Sequence, residues 1–172
     1  MPLDQVRRAV WGMLYADDAG VVSRSANGLA RVMTIIVVEV FGEFGLTVSE
    51  KKTETLLMRV KEKQSPPSPP SPPLVIEAAG QTYAQTTVFK YLGGLITEHG
   101  DLTREINFRN GAASGCMRRY GPELYDRPRA PFRLKIRLLR AEPMEALLYG
   151  CMTWAPRIEH YRLLTSIHLR LL

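Results

Sequence analysis

A chain of 172 residues, 45% hydrophobic and 23% charged, is long enough for a real core and ordinary for a globular protein. Its two cysteines, Cys116 and Cys151, lie far apart without metal-ligand spacing, which excludes a disulfide-dense scaffold and a zinc ribbon. The formal charge of +6 is unevenly placed: residues 1–64 are net +1, residues 65–100 net −1 and residues 101–172 net +6, and twelve of the thirteen basic side chains in the last part are arginines.

Arginine's planar fork suits phosphate, so a basic segment of this kind points to nucleic acid. The plain alternative is a solvated helix face. Arg7-Arg8 precede an apolar run that Asp17-Asp18 close too early for a signal peptide, and Thr34 to Val38 is too short to span a bilayer. The chain is therefore expected to be soluble and intracellular, with no membrane partner and both cysteines as buried or half-buried free thiols.

In chain order, Met1 to Arg8 hold no usable pattern. Ala9 to Ala16 and Ala19 to Ser23 read as two buried strands of a tight hairpin carrying Asp17 and Asp18 at its tip. An acidic pair there is costly unless something positive meets it, and hard oxygen ligands suit a divalent cation such as Mg²⁺. Ser25-Ala26-Asn27-Gly28 offers helix caps. Leu29, Val32, Met33, Ile36, Val40, Phe41 and Phe44 recur at helical spacing, predicting a helix of about five turns that packs on a sheet and stops at Gly45. A loop with Lys51 and Lys52 leads to a strand from Thr55 to Val60.

Residues 65–73 repeat Ser-Pro-Pro, which excludes helix and ladder and favours a polyproline II spacer, with docking to an SH3- or WW-type partner as the lesser reading. Strands from Leu74 to Ala78 and Gln81 to Tyr91 flank Ala79-Gly80, and the second runs into Tyr91-Leu92-Gly93-Gly94, whose paired glycines allow a tight bend. A capped helix then runs from Asp101 to Tyr120, an irregular stretch holds Pro122, Pro128 and Pro131, and a second helix covers about Phe132 to Gly150. In that helix Arg133, Arg137 and Arg140 form one cationic stripe, while Leu134, Leu138, Leu139, Ala141, Leu147 and Leu148 face elsewhere. A third helix covers Glu159 to Leu172. Trp154 and Tyr149 read as core aromatics, and His99, His160 and His168 show no ligand spacing.

Four motifs in this order, Tyr15-Ala16-Asp17-Asp18, Lys52-Thr53-Glu54, Tyr91-Leu92-Gly93-Gly94 and Leu148-Tyr149-Gly150, resemble those of non-LTR (LINE-type) reverse transcriptases. The family follows its Y-A-D-D hairpin with a helix, a G-L…K-T-E segment matched by Gly45-Leu46 and Lys52-Thr53-Glu54, a Y-L-G-x-x-I primer grip and an L-L-Y-G-x-x-x-W thumb element. The resemblance implies an α+β fold: a partial polymerase palm (antiparallel hairpin with packed helix) followed by a helical thumb. The divisions expected are residues 1–64 as partial palm, 65–73 as linker, 74–100 as β-hairpin and grip, and 101–172 as basic thumb.

Carried over residue by residue, Asp17 becomes the principal Mg²⁺ ligand and Asp18 an auxiliary one. Lys52 lies near the leaving pyrophosphate with Lys51 as neighbour, and Tyr15 beside the primer terminus. Tyr91, Leu92, Gly93 and Gly94 form the grip, and Arg118, Arg119, Arg133, Arg137 and Arg140 are the nucleic-acid backbone contacts. The implied partners are an RNA template, a DNA primer and a deoxynucleoside triphosphate, with the nucleus as location.

Two departures stand out. The family's further metal-binding aspartate belongs to an upstream palm strand for which Met1 to Trp11 offer no counterpart, since Asp4 lacks the strand context. Ala19-Gly20 also replace bulkier apolar residues. The expectation is a truncated retroelement polymerase, inert in nucleotidyl transfer on its own. The rivals are a non-catalytic nucleic-acid-binding remnant that uses the arginines, and a purely structural or interaction module.

Overall fold

A computed structural model of the chain describes residues 12–59 and 75–172. The fold is α+β, with the short strands all before residue 98, one longer helical segment among them, and the remaining longer helices after residue 101. The chain divides into two compact units, residues 1–93 and 94–172. Among the described residues no helix is long and apolar enough to cross a membrane. The proline-rich repeat at 65–73, and with it the docking reading, lies outside the described residues, as do the strand ends expected at residues 9–11 and Val60.

The first unit opens with a two-stranded antiparallel hairpin, β1 (Gly12–Tyr15) and β2 (Asp18–Val21), in the register Tyr15↔Asp18 and Met13↔Gly20. The turn residue Ala16 has φ +51 while Asp17 stays outside the left-handed region. That is the II′ rather than the I′ pattern, and II′ matches strand twist. The expectation of buried strands fails here. Leu14 is 77% exposed and Tyr15 66%, because a lone two-stranded ribbon has no second layer to cover either face.

Helix α1 (Ala26–Thr34) starts where expected: Ser25 caps it, its Oγ accepting from the Gly28 amide at 3.1 Å. From Ile35 to Phe41 the backbone continues as a π-helix, coinciding with a run of β-branched residues that crowd a regular α-turn. The segment stops as anticipated. Gly45 takes φ +66, Leu46 N–H donates to Phe41 O at 2.8 Å and Gly45 N–H to Gly42 O at 3.1 Å, the two bonds of a Schellman ending.

Only the first half of this segment is core. Ala26, Leu29, Ala30 and Met33, with Val48, pack on buried Ile76, Ala78 and Tyr83. Val40 and Phe44, expected on the same stripe, are exposed, because the wider π-turn shifts every later side chain off the α-helical stripe.

The sheet of this unit has the order β3-β5-β4, built from β3 (Glu54–Leu56), β4 (Ile76–Ala78) and β5 (Gln81–Thr86). β4 and β5 form the anticipated hairpin, and Ala79 (φ +53) and Gly80 (φ +76) both sit in the left-handed region that a I′ turn needs. β3 runs parallel to β5 and is shorter than expected. The long strand expected to reach Tyr91 breaks at Thr87 and resumes as β6 (Val88–Tyr91). There Thr86 Oγ1 donates to Val88 O and accepts from Val88 N, taking the backbone out of the ladder.

The second unit begins at β7 (Gly94–Thr97) and is mainly helical. Asp101 caps α2 (Leu102–Tyr120), its Oδ1 accepting from the Thr103 amide at 3.2 Å. The single helix expected from Phe132 to Gly150 is two: α3 (Phe132–Ala141) and α4 (Pro143–Leu148), broken at Glu142. Pro143 has no amide to donate and its ring clashes with the preceding turn, so the α3 ladder cannot continue through it. Glu142 is put to use at the break, accepting the Tyr120 hydroxyl at 2.7 Å; that hydrogen bond, then burial, holds the phenol above its usual pKa.

Helix α5 (Ile158–Leu171) closes the unit close to its expected limits. The core is Ile106, Ala113, Leu139, Leu147, Ile167 and Leu171, with Trp154 packed against it. Trp154 is thus the core aromatic expected, whereas Tyr149 is half exposed. Cys116 is partly buried as anticipated, but Cys151 is exposed on a short 3₁₀ turn after left-handed Gly150.

Candidate functional site

The acidic hairpin is the first candidate. Asp17 occupies the turn and Asp18 opens β2, both exposed. In a strand, residues two apart share a face, so Asp18 and Gly20 point the same way, with their partners Tyr15 and Met13 opposite them. A Cβ placed on Gly20 would lie 3.5 Å from Cε2 and Cζ of Tyr91. The Tyr91 ring therefore lies against the hairpin face that carries Asp18. A larger side chain at position 20 would push the ring outward, and this gives the small residue in β2 a packing reason. Phe89 stacks beside Tyr91 with ring centroids 6.2 Å apart and planes 14° from parallel.

The hairpin that carries the acidic turn and Tyr91, the first residue of the grip-like stretch, are thus adjacent within the first unit. The bend expected of that stretch is present: Leu92 and Gly93 take φ +47 and +81. Glycine adopts such a φ freely, whereas leucine does so at a cost of about 1–2 kcal/mol.

Lys51 and Lys52 sit exposed on the 3₁₀ turn Glu50–Lys52. Glu50 Oε1 accepts the Thr82 amide at 3.1 Å, fastening this turn to β5. Among the described residues no ion pair joins either lysine to Asp17 or Asp18.

The described residues do not by themselves make a metal centre. Mg²⁺ needs near-ideal octahedral oxygen geometry and dehydrates reluctantly. Among the described residues no group of three His, Cys, Asp or Glu side chains could hold an ion. Two exposed neighbouring carboxylates leave most of the coordination of such an ion to water.

The second candidate is the cationic surface of the helical unit. Arg118 and Arg119 end α2, and Arg133, Arg137 and Arg140 run along α3. The stripe expected on α3 is present, because Leu139 takes the buried side.

Two constellations escaped the sequence reading. Glu105 and Arg109 are 3% and 7% exposed, with Arg109 Nε donating to Glu105 Oε1 at 2.7 Å. Glu105 Oε2 also accepts the Leu95 amide at 2.8 Å, and the Arg109 guanidinium carbon lies 4.5 Å from the centre of the Tyr149 ring. This explains why Tyr149 lies outside the apolar core: its face covers a buried cation. The i, i+4 spacing was visible, but it is the same spacing that surface pairs use.

His160 is 2% exposed and structural. Its Nδ1 accepts the Arg157 amide at 3.0 Å, while Nε2 lies 3.4 Å from Thr103 Oγ1 and 3.8 Å from Asp101 Oδ1. No family model, curated protein or solved structure matches the chain.

Proposed function

We propose that this chain is the C-terminal palm and thumb portion of an RNA-directed DNA polymerase of the non-LTR retroelement type. The observation that carries the reading is the Tyr15-Ala16-Asp17-Asp18 turn at the tip of an antiparallel hairpin, with Tyr91 of the grip-like stretch packed on its Asp18 face. In this reading Asp17 and Asp18 are two of the carboxylates of a Mg²⁺ site, and a further carboxylate has to come from outside the described residues. Lys52, with Lys51 beside it, serves the triphosphate. Tyr91 holds the hairpin face near a primer terminus. Arg118, Arg119, Arg133, Arg137 and Arg140 neutralise the backbone of a template–primer duplex.

With two carboxylates at the hairpin turn among the described residues, the chain by itself is expected to add no nucleotides. Its own activity is salt-sensitive binding of nucleic acid. The test joins the upstream fingers and palm strand of a non-LTR polymerase to this chain. The folded chimera is expected to make cDNA with Mg²⁺ and to lose that activity on Asp17→Asn. A folded chimera that binds RNA and makes no cDNA would overturn the reading. Incorporation by the isolated chain above an Asp17→Ala control would overturn the expectation that it is inert alone.

A further inference from the structure

The chain contains two Asn-Gly pairs, Asn27-Gly28 and Asn110-Gly111, and the fold treats them differently. Asn27 is exposed in the first turn of α1, next to Ala26 at its start. The Gly28 amide lies ahead of the backbone ladder, which begins with Leu29 N–H on Ser25 O at 3.0 Å. Its acceptor is a side chain, Ser25 Oγ at 3.1 Å. Asn110-Gly111 lies in the middle of α2, where the helical ladder closes on both sides of it. The glycine after Asn27 also has a structural reason. A Cβ at position 28 would lie 2.7 Å from Ser23 Oγ and 2.9 Å from Ser25 Oγ, the two hydroxyls that build the helix start. The cap thus requires glycine where it leaves the preceding asparagine most reactive, because an amide without a neighbouring side chain approaches a carboxamide unhindered.

We infer that Asn27 is a site of spontaneous deamidation, reached when the first turn of α1 frays. Helix ends open far more readily than helix interiors. Once Ser25 Oγ releases it, the Gly28 amide gives its proton to hydroxide and its nitrogen bonds to Asn27 Cγ. The carboxamide C–N bond breaks, and ammonia leaves with a proton taken back from water, closing a succinimide between residues 27 and 28. Water then adds to one of the two imide carbonyls and opens the ring to aspartate or to isoaspartate. The two products act on the fold in opposite ways. Aspartate puts a carboxylate in a first turn that holds no acidic residue, where the helix dipole favours it. Isoaspartate draws the side-chain methylene into the main chain. That shifts Ala26 out of register with Leu29, both of which pack on the buried cluster of Ile76, Ala78 and Tyr83. None of this depends on the roles given to Asp17 and Asp18.

The test incubates the full chain at neutral pH and follows both asparagines by peptide mass spectrometry, with chromatography to separate aspartate from isoaspartate. In the folded chain Asn27 should convert at least about 10-fold faster than Asn110, the gap between a fraying end and a closed ladder. In concentrated urea the two should convert at similar rates, because the dipeptides are chemically the same. Ser25→Ala should speed conversion at Asn27 about 5-fold, the shift in opening that loss of an N-cap brings, and leave Asn110 unchanged. Conversion of Asn110 at the pace of Asn27 in the folded chain would overturn the inference. So would an Asn27 that stays intact in the folded chain while it converts in urea. A Ser25→Ala chain that converts no faster at Asn27, or equally faster at both sites, would overturn it as well.

Discussion

The two units build their buried clusters on different scales. In the helical unit apolar residues converge: Ile106, Ala113, Leu139, Leu147, Ile167 and Leu171 come from four helices into one cluster, and even a glutamate and an arginine are taken inside. In the hairpin unit Ile76, Ala78 and Tyr83 make the buried cluster among the described residues, while Met13, Leu14, Tyr15 and Phe44 stay exposed. A helix buries a stripe against any neighbour, whereas a two-stranded ribbon needs a layer on each face before its apolar residues leave water. The larger cluster thus lies in the helical unit, and the acidic turn in the unit with the smaller one.

Four substitutions put that contrast at risk. The largest effect is expected from Glu105→Ala, which takes the carboxylate from the buried Arg109 charge and removes the acceptor of the Leu95 amide. Breaking one side of a buried pair costs about 3–5 kcal/mol, read as a shift in urea unfolding followed by helical circular dichroism. A loss below about 1 kcal/mol would mean that water reaches Arg109. Next is Ile106→Ala, a fully buried side chain in the helical core, at about 3 kcal/mol. Equal losses from Ile106→Ala and a hairpin substitution would erase the distinction between the units.

Ser25→Ala removes the cap of α1 and should cost about 1 kcal/mol, confined to the hairpin unit. The smallest effect is expected from Leu14→Ser, within about 0.5 kcal/mol, as befits a side chain 77% exposed. A loss of about 2 kcal/mol, that of uncovering a buried leucine, would show that the hairpin face is covered after all.

Local chemistry was readable in the residues, and burial was less so. The caps at Ser25 and Asp101, the left-handed stop at Gly45 and the turn at Ala79-Gly80 all follow from short-range rules, and all four are present. The hairpin's place in the chain was also legible, but its exposure was not: an apolar run says that a strand prefers company without saying that company is there. The π-turn at Ile35 was hidden because a stripe counted at 3.6 residues gives no warning when the helix widens. The break at Glu142 was legible and missed, since Pro143 is a plain stop signal inside an otherwise periodic segment. The contact of Tyr149 with Arg109 and the packing of Tyr91 on Gly20 join residues far apart in sequence. No local pattern announces them.

The imidazole of His160 also bears on how the helical unit opens. It accepts the Arg157 amide at the start of α5 on one nitrogen and faces the Asp101–Thr103 cap of α2 with the other. The starts of two helices more than fifty residues apart thus share one ring. Neither can fray without taking a polar partner from the other, so the amides of Thr103 and Arg157 should exchange with deuterium in a single opening event rather than independently. One buried ring makes the two helix ends behave as one cooperative unit.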